Sequence, residues 1–514
     1  MRVAGREEIP SYCGIGRAQR STVDEQRRFN GLAQQFLDGR VSRRQFLHAS
    51  ALLGLSGAAA AFLVACGSSA ATTAPTAAPT AAPTAAASAA PSAAASAAAS
   101  AAAPDFAAMA KQLGRPLRLH HDSAVGPLYE PYIKDFNAKY TPLQVETSYV
   151  TGDYPALTQT QLAGGSVDYD VLFADDGYAL KWFKAGWIRS LDDIDGVKDV
   201  LAALDPGIEA NCRTTDGKLI TLPYYRGVEI FIYNKEHLDK IGAAVPKTWA
   251  EFVDTCRQLK AKKIVDTPYS PFWCLQFTVI WTQLLAESYS DGSGDFFDKD
   301  LKPLFQKDPV VYSTLERWNL LYKEGLIPQD VFTTDYGNIA NIFAGAKSSF
   351  TIRYGPQLVQ FTDPKQSKSA TGAKNAPMPG KTGATHAGGA WWMMTSSTPQ
   401  PQTAWELMRY FAWQDRGGLP FFQKQLLAID LGLQTAFSSI NNDPEVRAAW
   451  AKWCDADGLA AQIKNSRSDG PVVLAEWYGE FQTKASELLQ EAVRGTKPIQ
   501  QALDEAAAFV TSKM

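Results

Sequence analysis

Hydrophobic side chains between residues 115 and 220 follow two spacings, which predict helices and strands in turn. Leu128, Tyr132, Phe136 and Tyr140 recur at every fourth position, as on one face of an amphipathic helix. The next stretch, LQVETSYV, alternates apolar and polar residues, and YDVLFA is a short apolar run. Both patterns are typical of strands. Strands that alternate with helices predict an α/β fold with a largely parallel sheet.

The same reasoning extends to the C-terminus. Thr248 and Glu251 in PKTWAE are spaced as a capping box, which predicts the start of a helix. Two further helices are predicted in YGEFQTKASELLQEAV and IQQALDEAAAFV, separated by a break at residues 495–498. Trp391 and Trp392 are adjacent on a predicted strand, so their side chains point to opposite faces and Trp392 is assigned to packing. Five tryptophans within or at the ends of predicted helices are also assigned to packing: Trp182, Trp187, Trp249, Trp318 and Trp405.

An uncharged, mostly small run extends from Ala49 to Ala65. A stable membrane span needs about 20 predominantly apolar residues, and alanine and serine are only weakly hydrophobic. A cleaved export signal is therefore favoured over a transmembrane helix or a buried helix of the fold. Arg43 and Arg44 precede the run, and SRRQFL resembles the twin-arginine signal, which exports folded proteins.

Leu63-Val64-Ala65-Cys66 at the end of this run resembles the bacterial lipobox, whose cysteine receives a diacylglycerol group and becomes the new N-terminus. Residues 1–65 are accordingly interpreted as a twin-arginine-type signal peptide with a long n-region, and Cys66 as the lipidation site. Residues 67–104 contain only Gly, Ala, Ser, Thr and Pro, which cannot bury enough apolar surface to fold. We interpret residues 66–114 as a lipid-anchored tether.

The formal net charge of the chain is −3, and residues 1–65 contain nine arginines and five acidic residues. The mature chain would therefore have a net charge of about −7. Such a mildly acidic chain does not indicate nucleic acid or an anionic membrane surface as its partner.

Several stretches occur in the order found in one known family. These stretches are GKLITLPYYRGVEIFIYNKEHLDKIG, PKTWAEFVDTCRQLK, IFAGAKSSFTIRYGP and APMPGKTGATHAGGAWWM. Together they resemble the extracellular solute-binding proteins, family 1, over nearly all of residues 115–514. The resemblance implies a two-lobed periplasmic-binding-protein (Venus flytrap) fold with a hinge and an interlobe cleft. Lobe one would comprise residues 115–225 with 371–416, and lobe two residues 226–370 with 417–514.

The same resemblance implies the function of the chain. It would be a monomeric solute-binding lipoprotein of an ABC importer, held at the outer face of the cytoplasmic membrane. It would bind a sugar or oligosaccharide by hinge closure and deliver it to the permease subunits, without a cofactor and without enzymatic activity. A polyamine, a glycerol-phosphate ester or a peptide remains an alternative ligand. A secreted glycoside hydrolase, which needs only two facing carboxylates, remains a more distant alternative function.

A sugar has apolar C–H faces and a rim of hydroxyl groups, so its cleft needs flat aromatic rings beside polar side chains. Asp175, Asp176 and Tyr178 follow a predicted strand at its carboxyl end, where open α/β sheets bind ligands. Matched to maltose-type family members, Arg353-Tyr354 and Trp477 fall on aromatic stacking positions. The complete set of candidate ligand-binding residues is Asp175, Asp176, Tyr178, Tyr224, Tyr225, Arg226, Trp273, Gln276, Arg353, Tyr354, Trp391, Trp477 and Tyr478.

Signals for catalysis or metal binding are weak. Gly380-Lys381-Thr382 matches the end of a P-loop, but Asn375 stands where the motif requires glycine. His120 and His121 are adjacent on a predicted strand, so they point to opposite faces and cannot jointly hold a metal. No catalytic residue, metal site or cofactor is predicted. Four cysteines follow Cys66 and leave three disulfide pairings open: Cys212, Cys256, Cys274 and Cys454.

Overall fold

The computed structural model describes residues 104–123, 125–151, 154–165, 167, 169–175, 177–275 and 278–514. The predicted signal peptide, the lipidation site Cys66 and most of the predicted tether lie outside these residues. Within the described part of the chain, no helix is both long enough and apolar enough to cross a membrane.

In the part of the chain that the structure describes, nine strands form two sheets. In chain order they are β1 Leu117–Asp122, β2 Val145–Val150, β3 Val171–Asp175, β4 Leu222–Val228, β5 Ile230–Asn234, β6 Phe350–Arg353, β7 Ala373–Ala376, β8 Thr385–Met394 and β9 Ser466–Arg467. The first sheet has the order β2-β1-β3-β8-β4, with β9 also paired to β8, and the second has the order β6-β5-β7.

The chain passes from the first sheet to the second between Val228 and Ile230, and returns between Ala376 and Thr385. From the sequence, we expected the corresponding lobe boundaries at 225/226 and 370/371. Because β4 ends at Val228 and β5 begins at Ile230, Glu229 is the single residue that joins the two strands.

The prediction of a largely parallel sheet holds for β1, β2 and β3 but not for the rest of the two sheets. β1 runs parallel to β2 and β3, as the alternation of strands and helices before residue 176 implies. However, β8 returns from the second sheet and pairs antiparallel with both β3 and β4. The second sheet is antiparallel throughout. The first sheet is therefore mixed, because one strand from a distant part of the chain runs against its neighbours.

Helices cover both sheets. In chain order the α-helices are α1 Phe106–Leu113, α2 Gly126–Lys139, α3 Tyr154–Ala163, α4 Ala179–Lys184, α5 Val197–Ala203, α6 Lys235–Ile241, α7 Trp249–Ala261, α8 Val279–Ser290, α9 Pro309–Lys323, α10 Tyr336–Ala344, α11 Gly355–Thr362, α12 Pro401–Ala412, α13 Ser438–Asn441, α14 Pro444–Trp450, α15 Ala456–Lys464, α16 Tyr478–Arg494 and α17 Ile499–Lys513. Three 3₁₀ segments, Glu209–Cys212, Phe305–Lys307 and Gly470–Leu474, and a π-helix, Phe422–Asp430, complete the described elements.

The capping box predicted at the start of α7 is confirmed. The Glu251 amide donates to the Thr248 hydroxyl, and the Glu251 carboxylate accepts from the Thr248 amide in return. The two predicted C-terminal helices are also present, as α16 and α17. Local sequence signals thus place these helix ends correctly.

The tryptophans assigned to packing are mostly in the core. Trp182, Trp318, Trp392 and Trp405 are fully buried and Trp249 nearly so, whereas Trp187 is half-buried. The four cysteines beyond Cys66 are free thiols in the structure.

Candidate functional site

A small cavity lies beside the first sheet, close to the chain crossing at Glu229. Its walls come from β4 and β8, from the 3₁₀ segment Glu209–Cys212 and from residues 468–473. Its volume is about 20 Å³, room for about one water molecule. The lining residues are Ile208, Asn211, Pro223, Tyr225, Arg226, His386, Ala387, Gly388, Gly389, Trp391, Ala436, Ser468, Asp469 and Val473.

Three of the predicted site residues meet in this cavity: Tyr225, Arg226 and Trp391. They come together because β4 pairs with β8, with Pro223 opposite Trp391. The register shifts between Pro223 and Tyr225, and a bulge of this kind re-aims side chains. The backbones are close enough at this point that a Cβ on Gly389 would lie 2.5 Å from the Tyr225 carbonyl oxygen.

Arg226 presents a partly buried cation to the cavity. Its Nη2 donates to the Ser466 carbonyl oxygen at 3.5 Å, whereas its Nε is buried without a hydrogen-bond partner. Desolvation lowers the pKa of Arg226, although Asp205 acts in the opposite direction. A buried guanidinium nitrogen without an acceptor is costly, so this donor is suited to an oxygen of a ligand.

Asn211 supplies an acceptor to the same cavity. The residue is 4% exposed, and its Oδ1 is buried without a hydrogen-bond partner among the described residues. Together with the Arg226 Nε donor and the Trp391 ring, it provides a donor, an acceptor and an apolar surface. A sugar can use all three, through its hydroxyl groups and its C–H face.

His386 was not predicted, yet it lies at the centre of the polar groups around the cavity. Its Nε2 lies 3.0 Å from Asp469 Oδ1 and its Nδ1 3.7 Å from Glu229 Oε1, with all three side chains almost fully buried. Burial alone would lower the pKa of His386, but Asp469 and Glu229 raise the pKa to about 10. Glu229 had a usable sequence signal, since a lone charge within the apolar run GVEIFIY indicates a buried, paired group. His386, Asp469 and Asn211 had none.

Tyr224 and Asp175 lie on strands β4 and β3 of the first sheet but do not line the cavity. The Tyr224 ring packs on Phe173 and Trp392, which places it in the core of the first sheet. Asp175 is the last residue of β3 and is exposed.

Trp273 and Arg353 are enclosed away from the cavity. The Trp273 ring is fully buried and packs on Trp318 at 4.6 Å between centroids. The Arg353 guanidinium lies over the Phe272 ring and donates to the Ile352 and Ser270 carbonyl oxygens. Desolvation lowers the pKa of Arg353 to about 9.

The remaining aromatic candidates do not line the cavity. The Tyr354 hydroxyl donates to Glu229 Oε1 at 3.3 Å, and the Tyr478 hydroxyl donates to Asp469. Half-buried Trp477 packs near Phe297, and Tyr178 precedes α4. The two other candidates, Asp176 and Gln276, lie outside the described residues.

A family model supplies the decisive comparison. The model of the bacterial extracellular solute-binding proteins matches residues 122–412, which is more than half of the chain. The chain belongs to this family. The matched residues include β4 and β8, and with them the predicted cavity residues Tyr225, Arg226 and Trp391. They also include His386 and Glu229.

The curated relatives of this chain include two sugar-binding proteins. The multiple sugar-binding protein of Streptococcus mutans is 25% identical over 224 residues, which are 43% of this chain and 52% of that protein. The melibiose/raffinose/stachyose-binding protein MelE of Bacillus subtilis is 22% identical over 236 residues, 43% of this chain and 51% of that protein. The chain thus spans about half the length of these relatives.

Solved structures with the same fold cover most of the described chain. Maltose-bound T. maritima MalE3 has a TM-score of 0.65 at 18% identity, over 78% of this chain and 100% of that chain. The sugar-binding protein MalE from Xanthomonas citri has a TM-score of 0.63 at 18% identity, over 78% of this chain and 97% of that chain. The two-lobed periplasmic-binding-protein fold expected from the sequence is therefore confirmed.

Proposed function

We propose that this chain is the solute-binding component of an ABC importer, and that it captures a sugar or oligosaccharide and passes it to the permease. The observation that carries the proposal is the cavity at the crossing between the two sheets. Trp391, Arg226 and Asn211 all line it, and the Arg226 Nε donor and the Asn211 Oδ1 acceptor have no hydrogen-bond partner among the described residues. The sugar-binding relatives support a carbohydrate ligand. The role is binding without chemical conversion.

Capture requires the walls of the cavity to separate. The cavity volume is about 20 Å³, whereas pockets for small molecules occupy about 300 Å³ or more. The strands cross between the sheets at Glu229 and again after Ala376, and these crossings are suited to act as hinges. A ligand favours the closed form only by binding it more tightly than the open form. Contacts to groups on both sides of the cavity meet this condition.

We further propose that the protein acts as a monomeric lipoprotein at the outer face of the cytoplasmic membrane. The support is the sequence alone: Arg43-Arg44 before an uncharged run, the lipobox-like residues ending at Cys66, and a tether without charges. The membrane would then be the second partner of the protein, because the acyl chains on Cys66 would be buried in the bilayer.

A thermal-shift screen of the purified chain tests the choice of ligand. The panel contains maltose, raffinose, stachyose, D-mannitol, spermidine, glycerol 3-phosphate and a mixed-sequence peptide. A ligand at 100 times its Kd stabilises the folded state by about 2.7 kcal/mol, so a sugar is expected to raise the melting temperature. A shift with spermidine, the phosphate ester or the peptide alone would contradict the sugar assignment. Release of free monosaccharide from an oligosaccharide would instead support a glycoside hydrolase.

A further inference from the structure

His386 is a buried imidazole that faces a carboxylate on each side. Nε2 faces Asp469 at 3.0 Å and Nδ1 faces Glu229 at 3.7 Å. A neutral imidazole has only one N–H group, whereas a protonated imidazole has two. Neither ring nitrogen has a hydrogen bond of good geometry among the described residues, so the two contacts are charge pairs. Only the protonated ring carries the charge and the two N–H groups to pair with both carboxylates.

The two carboxylates come from separate parts of the chain. Glu229 is the residue that joins β4 of the first sheet to β5 of the second, and Asp469 directly precedes the 3₁₀ segment Gly470–Leu474. Each also accepts from a tyrosine hydroxyl, Glu229 from Tyr354 and Asp469 from Tyr478. His386 on β8 thus connects the cavity wall to the chain crossing and to the start of α16.

The other charged groups near His386 interact with partners of their own. Arg226 lines the same cavity, with Nη2 at the Ser466 carbonyl oxygen. Arg467, two residues before Asp469, pairs with Asp295 and lies over the Tyr289 ring at 4.1 Å. Asp205 acts on the Arg226 guanidinium and Glu229 acts on the buried Arg353 guanidinium. With His386 protonated, the three cations therefore balance the three carboxylates of Asp205, Glu229 and Asp469.

This balance bears on which ligands the cavity accepts. An anionic ligand would approach the Asp469 carboxylate, and a cationic ligand would approach the Arg226 guanidinium. Burial of an additional unpaired charge is costly, whereas hydroxyl groups can donate to a carboxylate and accept from a guanidinium. The arrangement therefore favours an uncharged polyol.

We propose that His386 is a positioning residue that holds the Asp469 and Glu229 carboxylates in place and thereby restricts the cavity to uncharged carbohydrates. The proposal rests on the proposed function, because it assumes that the cavity is where a sugar binds. Loss of the imidazole would leave two neighbouring carboxylates without their shared partner. Their repulsion and altered orientation would weaken sugar binding.

The test compares His386→Gln with the control His237→Gln. His237 is also buried and its Nδ1 lies 2.9 Å from the Ser349 hydroxyl, but it has no role in the cavity. Affinity for maltose and raffinose is measured by calorimetric titration at about pH 7, together with the melting temperature. His386→Gln is expected to weaken binding at least about tenfold, whereas His237→Gln leaves the Kd unchanged even where it lowers the melting temperature. Equal Kd values for wild type and His386→Gln would overturn the proposal.

A pH titration provides a readout that a merely structural histidine would not give. Because the carboxylates raise the pKa of His386 to about 10, wild-type affinity should stay constant from about pH 6 to 9 and fall above that range. His386→Gln should lack this fall. Carbon-13 NMR of the labelled histidine should show a charged His386 ring across the same range without any ligand present. A ring that is neutral at about pH 7.5 would overturn the proposal.

Failure of this proposal differs from failure of the proposed function. If wild-type protein binds none of the sugars, the proposed function fails and the ligand role of His386 fails with it. If wild-type protein binds a sugar and His386→Gln binds it equally well, only the role of His386 is rejected.

Discussion

Replacing Trp391 by alanine should weaken ligand binding strongly, and its neighbour Trp392 provides a matched control. The two residues are adjacent on β8 and are 6% and 0% exposed. Trp391 lines the cavity, whereas Trp392 packs on Phe173 and Tyr224 on the opposite side of the sheet. The two substitutions therefore differ mainly in whether they remove a surface from the ligand.

The magnitudes follow from burial. Truncation of a buried tryptophan to alanine costs about 3–5 kcal/mol of stability, through lost transfer energy and a cavity, and both variants should incur this cost. In a chain of this size the melting temperature should fall by about 2 °C or less for each kcal/mol, so both variants should remain folded. Truncation of an aromatic residue at a desolvated ligand contact commonly costs about 2 kcal/mol or more of binding energy, about thirtyfold in Kd. Only Trp391→Ala should show this second effect.

The assay is a calorimetric titration of wild type, Trp391→Ala and Trp392→Ala with the sugar that gives the largest thermal shift. The expected result is similar melting temperatures for the two variants and a Kd raised about thirtyfold for Trp391→Ala alone. Equal loss of affinity in both variants would mean that the effect is transmitted through stability. Unchanged affinity in Trp391→Ala would refute the placement of the ligand against this ring.

Four further predictions concern other parts of the chain. If Trp477 contacts the ligand, Trp477→Ala should raise the Kd strongly and lower the melting temperature only modestly. A much lower melting temperature with a wild-type Kd would remove Trp477 from the site. Cys66→Ser should release the protein from the membrane fraction, whereas a variant that stays there with its N-terminus intact would indicate a membrane span. Replacing Arg43 and Arg44 by lysine should leave folded precursor in the cytoplasm, and undiminished export would indicate the unfolded-chain pathway. The folded-state pKa of His386 is raised from its usual 6.5 to about 10. Its contribution to stability is therefore full below about pH 6.5 and is lost as the pH rises through about 10. The free energies of unfolding of wild type and His386→Gln should converge at alkaline pH, and a difference that stays constant with pH would contradict this.

Sequence patterns predicted the local structure well where the cause is local. The capping box at Thr248 and Glu251 depends on residues three positions apart, and the structure has it as predicted. The opposite orientations of Trp391 and Trp392 follow from the two-residue period of a strand. The sheet order could not be obtained in this way, because the position of β8 depends on pairing with strands that are distant in sequence.

The candidate site was predictable only in part for the same reason. Tyr225, Arg226 and Trp391 were identified because aromatic and polar residues stand together at strand positions. Trp273 satisfied the same criterion, yet it is enclosed by Trp318 and neighbouring residues. Composition does not distinguish a ring that lines a cavity from a ring that fills a core. His386 and Asp469 meet only in the folded chain, and neither stands in a motif that would have marked it.

We propose that the cavity at the crossing of the two sheets binds an uncharged sugar. Calorimetric titration of the purified chain with maltose, raffinose and stachyose tests it most directly, with spermidine and glycerol 3-phosphate as charged comparators. We expect saturable binding of at least one of the three sugars, with one site per chain and no measurable heat from either charged compound. Binding of a charged compound with no response to any of the sugars would contradict it.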